Sequence, residues 1–213
     1  MDFLNAIILI SNFIIVPAIT YGSQLALGAI GVSLIYGVLR FANFAYGDLM
    51  AFGTMIVILF TWYLQSKGIT FGLLPTALLA LPIGILFTIA ISLFFDKTIF
   101  EYYREKKSNP VTFIVVSLGI MFVLNAVVRI IIGPNDINFM DGHKFIMKAR
   151  EFKQLTGLNE GLAIKSTQVI TLITTIITCS LLFYFLNKTK TGKSMRAYSN
   201  NEDLALLSGI DPK

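Results

Sequence analysis

Long apolar runs separated by short polar loops make up most of the 213-residue chain. A helix that crosses a membrane needs about 20 mostly apolar residues, with a range of roughly 17–25. Residues 3–39 contain no charged side chain, which is too long for one such helix, and Pro17 and Gly22 interrupt the run. The pattern therefore predicts two segments here and four further along the chain. The six predicted segments cover residues 3–20, 22–39, 49–64, 71–95, 111–132 and 166–186.

This pattern predicts an all-α transmembrane fold, a polytopic helical bundle of about six spans. The composition agrees, because 55% of the residues are hydrophobic and 14% are charged, against about 25% charged in soluble domains. Pro75 and Pro82 fall inside the fourth segment, so we expect that helix to start late or to be kinked.

The distribution of Lys and Arg predicts the orientation, since cytoplasmic loops carry the excess of positive charge. Six spans place both ends of the chain on one side, and if that side is cytoplasmic the bias is ten residues against six, with Arg129 inside the fifth span. Asn43 and Gly192 then face the cytoplasm, and residues 133–165, including His143, form a periplasmic loop. The cytoplasmic set is Arg40, Lys97, Arg104, Lys106, Lys107, Lys188, Lys190, Lys193, Arg196 and Lys213; the outer set is Lys67, Lys144, Lys148, Arg150, Lys153 and Lys165.

Several kinds of chemistry find no support in the sequence. The one Cys, Cys179, and the one His, His143, make neither a disulfide nor a metal site. The net charge of +5 is scattered over loops, which argues against nucleic-acid binding. Residues 192–194 (Gly-Lys-Ser) end like a phosphate-binding loop, but Asn187 stands where its first glycine is needed. We therefore expect no catalytic residue, no metal, no cofactor and no ATP site in this chain.

A polar break, residues 40–48, separates the second and third segments. Non-helical backbone at membrane depth survives only where it is buried in protein or lines a cavity. The break is therefore either part of a translocation path or a plain cytoplasmic turn in which Asp48 caps the next helix.

Two spans carry polar side chains. Thr171 and Thr175 follow Thr167 at helical spacing and either line a solute path or bond their own helix. Asn125 and Arg129 lie in the fifth segment, and intramembrane polar groups are functional candidates. Because Arg129 is one turn from Gly133, we expect it to snorkel to the interface.

Residues 36–48 resemble the signature G-[VI]-[LI]-x-x-[IA]-N-F-A-H-G-[ED] of branched-chain amino acid permeases of the LivH type. The resemblance favours the interpretation in which Asn43, Phe44, Gly47 and Asp48 belong to the translocation path. Thr171 and Thr175 are candidates for the same path from their helical spacing alone. Tyr46 stands where that family usually has His, so no role of that His carries over.

A second resemblance lies near the end of the sequence. Residues 192–197 are similar to the basic lead-in G-x-x-[ML]-R-A of these permeases, and residues 203–209 to the E-A-A-x-x-x-G core of the loop that contacts the ATPase. The resemblance implies that residues 187–213 form a cytoplasmic coupling segment whose short helix, with Leu204, Ala205 and Leu207 near one side, docks into an ATPase groove. A basic helix on anionic lipid is the other interpretation. The implied coupling residues are Gly192, Arg196, Ala197, Asp203, Ala205, Leu206 and Gly209.

The resemblance implies a single permease domain over residues 1–213 in the bacterial inner membrane. Its expected partners are a second permease subunit, two cytoplasmic ABC ATPase subunits, a periplasmic substrate-binding protein that delivers leucine, isoleucine or valine, and membrane lipid. Members of the family continue beyond the coupling motif, so we expect the domain to be incomplete at residue 213. A urea or short-amide permease and an ion-coupled secondary carrier remain as alternatives; the latter usually shows intramembrane carboxylates.

Overall fold

The structure is a computed structural model that describes residues 2–72, 74–135, 139, 141 and 145–209, without the side chains of Asp2, Glu202, Asp203 and Leu206. Its regular structure in the described residues is helical apart from one two-stranded antiparallel sheet. Two π-helical turns interrupt the helices. The elements are α1 (Asp2–Ile10), a π turn (Ser11–Ile15), α2 (Val16–Leu39), α3 (Tyr46–Ser66), α4 (Ala77–Phe95), a π turn (Asp96–Phe100), α5 (Glu101–Glu105), α6 (Pro110–Ile132), β1 (Phe145–Met147), α7 (Ala149–Thr156), β2 (Ile164–Lys165), α8 (Ser166–Lys188), α9 (Lys190–Asn200) and α10 (Glu202–Leu207).

Five helical runs in the described part of the chain are long and apolar enough to cross a membrane. Their most apolar stretches are between 6% and 22% buried, so most of the apolar surface faces outward, as it does in a bilayer. This confirms the all-α polytopic fold. The runs are Phe3–Leu39, Tyr46–Ser66, Ala77–Glu105, Pro110–Ile132 and Ser166–Lys188.

The first run differs from the prediction, because residues 3–39 form one continuous helix of 37 residues instead of two spans. Pro17 cannot donate to a carbonyl one turn earlier, and a standard helix would kink there. The π turn just before it, in which the Val16 amide donates to Ser11 O, widens the helix and accommodates the missing hydrogen bond. The run is about 55 Å long, well beyond the hydrocarbon core of about 30 Å.

The chain divides into two compact units, and the first comprises residues 1–39 and 144–213. In this unit α2 packs against α8, α8 against α9, and α9 against α10. The Asn12 side chain holds the loop before α8: its Nδ2 donates to Gly161 O at 2.8 Å, and its Oδ1 accepts from Ala163 N at 3.0 Å. Asn5 Oδ1 accepts from Glu160 N at 3.3 Å.

The two ends of the first helical run lie at opposite ends of unit 1. Asn5 and Asn12 contact the loop before α8, whereas a Cβ built on Gly37 would lie 3.2 Å from Ser199 Oγ, in the helix after α8. This arrangement is that of a single long helix running the length of unit 1, and it differs from the two segments predicted over residues 3–39. A single span over residues 3–39 would put the beginning of the chain on the outer side and leave residues 133–165 and 187–213 on the sides predicted for them.

The second unit comprises residues 40–143, in which α3 packs against α4 and α6. Glycines let α3 and α4 approach closely: a Cβ on Gly84 would lie 3.1 Å from Gly53 O and would overlap Val57 Cγ2. The fourth predicted segment does start late, at Ala77, whose amide donates to Asp141 Oδ2 at 2.6 Å. Asp141 Oδ1 also accepts from Gln65 Nε2 at 2.9 Å, so one carboxylate joins the adjacent ends of α3 and α4.

The described part of the predicted periplasmic loop, residues 133–165, contains two strands and a helix. Strands β1 and β2 pair antiparallel around α7, with Phe145 opposite Lys165. Gly157 ends α7 in the left-handed conformation with a φ of 68°. His143, which marks this loop in the predicted topology, lies outside the described residues.

Candidate functional site

The polar break that ends the signature, residues 40–48, is called the signature segment from here on. It is anchored in the core of unit 2. Arg40 has a φ of 59°, in the left-handed region, and the chain leaves the helical conformation there. Phe41 is 7% exposed, and its ring lies 5.1 Å from that of Phe113 and 5.7 Å from that of Phe100. Ala45 is 1% exposed and belongs to the same core cluster. The break is therefore a packed structure and not a loose surface turn.

Two side chains satisfy the backbone of this segment where it is not helical. Asn43 Oδ1 accepts from Ala45 N at 3.0 Å, and Asn43 O accepts from Tyr46 N at 3.4 Å. Ser117 Oγ accepts from Phe44 N at 3.1 Å and donates to Ile114 O at 2.8 Å, and Ser117 is fully buried. The sequence does not predict this role of Ser117, whose only signal is a lone hydroxyl within an apolar run of α6.

Contacts to α6 give the depth of the segment. Phe44 lies beside Ser117, and Asp48 lies beside Asn125. Counted from Pro110, where α6 begins, Ser117 is about 10 Å and Asn125 about 22 Å along a helix of about 34 Å. The signature segment therefore lies at the level of the middle of a membrane-spanning helix. Broken helices at this depth are typical of membrane transporters, where they line a solute cavity.

Asp48 does not cap α3 as the turn interpretation requires, since no side chain caps the start of that helix. Asp48 Oδ1 instead accepts from Asn125 Nδ2 at 3.0 Å. Arg129 Nε donates to Asn125 Oδ1 at 2.9 Å. The expectation that Arg129 snorkels to the interface is thus wrong, because its guanidinium turns back one helical turn to an amide inside the span.

The outward side of the segment is open. Phe44 is 50% exposed, and a Cβ built on Gly47 meets no atom within 4 Å. A larger side chain at Gly47 projects from the surface of the chain, toward whatever faces this segment.

The threonines of α8 belong to unit 1 and bond their own helix. Thr171 Oγ1 donates to Thr167 O at 2.8 Å, and Thr175 Oγ1 donates to Thr171 O at 2.7 Å. Thr175 is 9% exposed. Both hydroxyl donors are therefore used within α8, as the self-bonding interpretation expects. The structure describes these threonines and the signature segment in separate units.

The lead-in of the predicted coupling segment is held tightly against the end of α8. Thr189 caps α9, with its Oγ1 accepting from Gly192 N at 3.0 Å. Gly192 is buried; a Cβ there would lie 2.7 Å from Leu186 Cα and would overlap the carbonyl of Phe185. Arg196 Nη1 donates to Asn187 Oδ1 at 2.8 Å. Gly192 and Arg196 therefore fix α9 to α8, while Ala197 lies on the exposed face.

The E-A-A-like core forms α10, a separate helix that begins after an extended Asn201. Asn201 Oδ1 accepts from Leu204 N at 3.1 Å and so caps the beginning of α10. Ala205 is 3% exposed, whereas Leu204 is 61% and Leu207 85% exposed. The expectation that all three share a side is wrong, because Ala205 follows Leu204 by about 100° around the helix axis and faces α9.

The end of α10 agrees with the sequence, since Gly209 has a φ of 79° as a helix-ending glycine does. The side chains of Asp203 and Leu206 lie outside the description, as do residues 210–213. Among the coupling residues that the structure describes, Leu204 and Leu207 offer the apolar outward surface.

Five apolar helical runs and a packed, non-helical segment at bilayer depth define a multi-pass membrane protein of the transporter class. Residues 14–213 match the family described as the permease component of branched-chain amino acid transport systems. The chain belongs to this family of membrane permeases.

Two curated relatives are both named high-affinity branched-chain amino acid transport system permease protein LivH. The chain is 23% identical to the protein of Salmonella typhimurium and 24% identical to that of Escherichia coli, each over 198 residues and 91% of this chain. It spans 60% of the length of each relative. No solved structure matches the chain.

Proposed function

We propose that this chain is the membrane-spanning permease subunit of an ABC importer for leucine, isoleucine and valine. The proposal rests on the family match over residues 14–213, together with the names of the two LivH relatives. The supporting observation in the structure is the signature segment, held at mid-helix depth by the Phe44–Ser117 contact. In this role the protein catalyses no reaction, and ATP hydrolysis takes place on partner subunits.

In this proposal Asn43, Phe44, Gly47 and Asp48 border the translocation path. Asn43 shapes the break by its bond to Ala45 N, and the half-exposed Phe44 and open Gly47 face the solute or the subunit opposite. Thr171 and Thr175 take a smaller part, because their hydroxyls already bond their own helix. Their lone pairs remain available as acceptors.

The proposed partners are a second permease subunit, two cytoplasmic ATPases and a periplasmic substrate-binding protein, in the bacterial inner membrane. Leu204 and Leu207 supply the apolar surface for an ATPase groove, and the tight α8–α9 joint passes its motion to the spans. The broad apolar surface of the five helical runs leaves area for a second permease and for lipid.

Uptake in the source cells tests the proposal. Deletion of the gene should abolish high-affinity uptake of radiolabelled leucine, isoleucine and valine, and a plasmid copy should restore it. Unchanged leucine uptake with lost urea or acetamide uptake would assign the chain to the short-amide alternative instead.

An ion-coupled carrier is kept as a second candidate because Asp48 lies beside Asn125, in the interior of a span, where coupling carboxylates occur. The two mechanisms differ in energy source. Uptake by the proposed importer should stop when ATP is depleted while the proton gradient is maintained. Uptake that persists without ATP and stops with an uncoupler would identify a carrier.

A further inference from the structure

Asp48, Asn125 and Arg129 form a chain of hydrogen bonds between α3 and α6. The Asn125 amide donates to Asp48 at 3.0 Å and accepts from Arg129 at 2.9 Å. The amide therefore stands between the two charged groups and is bonded to both. It holds a carboxylate and a guanidinium about 8 Å apart at most, without a direct ion pair between them.

The chain of bonds lies on the outside of unit 2. Asn125 and Arg129 are exposed, and Asp48 is half-buried. Asn125 lies about 10 Å inside the end of α6, within hydrocarbon depth. Charged groups at this depth are costly against lipid and face a bundle interior or a water-filled cavity. This face of α3 and α6 therefore turns toward a polar space in the assembled protein.

The spacing and signs of the two charges match one class of solute. An α-amino acid carries an ammonium and a carboxylate on neighbouring atoms. The ammonium can donate to Asp48, and the carboxylate can accept from the Arg129 N–H groups, of which the bond to Asn125 uses one of five. Two such charge-assisted bonds plus the solute backbone span about 8 Å, similar to the separation that Asn125 sets.

The same face offers an apolar contact for an aliphatic side chain. Phe122 is 69% exposed and precedes Asn125 by three residues and Arg129 by seven, so the three share one face of α6. We propose that Asp48, Asn125 and Arg129 bind the charged head group of the zwitterionic amino acid during its passage through the membrane. This inference rests on the proposed function, which supplies the class of solute.

Chromosomal variants in the source cells test the proposal. Asp48→Asn and Arg129→Gln should each reduce the maximal rate of leucine uptake at least tenfold, because one charged contact of the solute is lost. Arg129→Lys, which keeps the charge, should recover part of that rate. In purified transporter, loaded binding protein should still stimulate ATP hydrolysis to within twofold of the unmodified level, since α9 and α10 are untouched.

The matched controls are Asp96→Asn and Arg104→Gln. This exposed pair has the same side chains, joined at 2.8 Å, at the other end of unit 2. Both controls should transport leucine at the unmodified rate. If Asp48→Asn and Arg129→Gln behave like these controls, the proposal is overturned. Loss of the co-purified second permease from both variants would also overturn it, by assigning the chain of bonds to a subunit contact. An unmodified protein that takes up no leucine would instead refute the proposed function.

Discussion

Single hydrogen bonds decide the shape of the signature segment. Asn43 is recognisable from the sequence because it lies in a family signature, but the other anchor, Ser117, is far away in the sequence. A lone serine in an apolar run carries no local mark that distinguishes a buried anchor from a self-bonded hydroxyl. Only the packing of α3 against α6 reveals which it is. For the same reason the sequence marks Asp48, Asn125 and Arg129 as separate polar candidates but does not predict the hydrogen bonds that join them.

Removing the Ser117 hydroxyl should destabilise unit 2. In Ser117→Ala the part-buried Phe44 amide loses its acceptor, and a buried donor left without a partner costs about 1–3 kcal/mol, so this loss lies toward the lower end. We expect a lower melting temperature of the detergent-purified protein. Ser23→Ala is the matched control, because Ser23 is exposed and bonds only its own helix, at Ile19 O. Equal melting temperatures for the two variants would show that Ser117 does not anchor the segment.

At the scale of the element, the hydrophobic pattern predicts helix boundaries well where the loops are polar. It predicts them poorly where an apolar run continues without a polar loop. The late start of α4 was predictable from Pro75. Asp141, which is 64 residues further along the chain, accepts a hydrogen bond from the first amide of this helix. Residues 3–39 were divided wrongly because Pro17 usually breaks a helix, and no sequence signal announces a compensating π turn. The sidedness of α10 was missed because packing against α9 selects Ala205 as its inner residue.

The close contact between α3 and α4 should not tolerate a side chain. Gly84→Leu places atoms where Gly53 O and Val57 already are, and overpacking of this kind costs about 1–3 kcal/mol. We expect reduced yield and a lower melting temperature. Gly119→Leu makes the same change at a helical glycine with nothing within 4 Å and should be tolerated. If both variants are equally stable, the contact between α3 and α4 is looser than described.

The exposed leucines of α10 should carry the contact with the ATPase. Leu204→Glu and Leu207→Glu should each abolish co-purification of the ATPase without lowering the melting temperature, because both side chains point outward. Ala205→Glu should instead unfold α10, since that position is 3% exposed. Lipid binding predicts a different result, in which Lys188, Lys190 and Lys193 matter and the leucines do not.

At the scale of the whole molecule, the number of spans changes the side on which the chain begins. In a Cys179→Ser background, Phe3→Cys should react with a membrane-impermeant maleimide in intact cells, because Asn5 and Asn12 lie with the outer loop. Lys190→Cys should react only after lysis. Both positions are exposed, which makes them a matched pair. Labelling of Lys190→Cys in intact cells would show that the orientation is the opposite one. If neither Cys is labelled in intact cells, the chain has six spans.

The joint at Gly192 has a mechanical meaning. Backbone rests against backbone there, so α9 cannot pivot on α8 without breaking the contact. A push on α9 must tilt α8 as a whole, together with α2 that packs along it. At the other end of unit 1, the Asn12 side chain hydrogen-bonds to Gly161 and Ala163 in the loop before α8. A displacement of α9 would therefore be passed through α8 and α2 to the loop that Asn12 holds before α8.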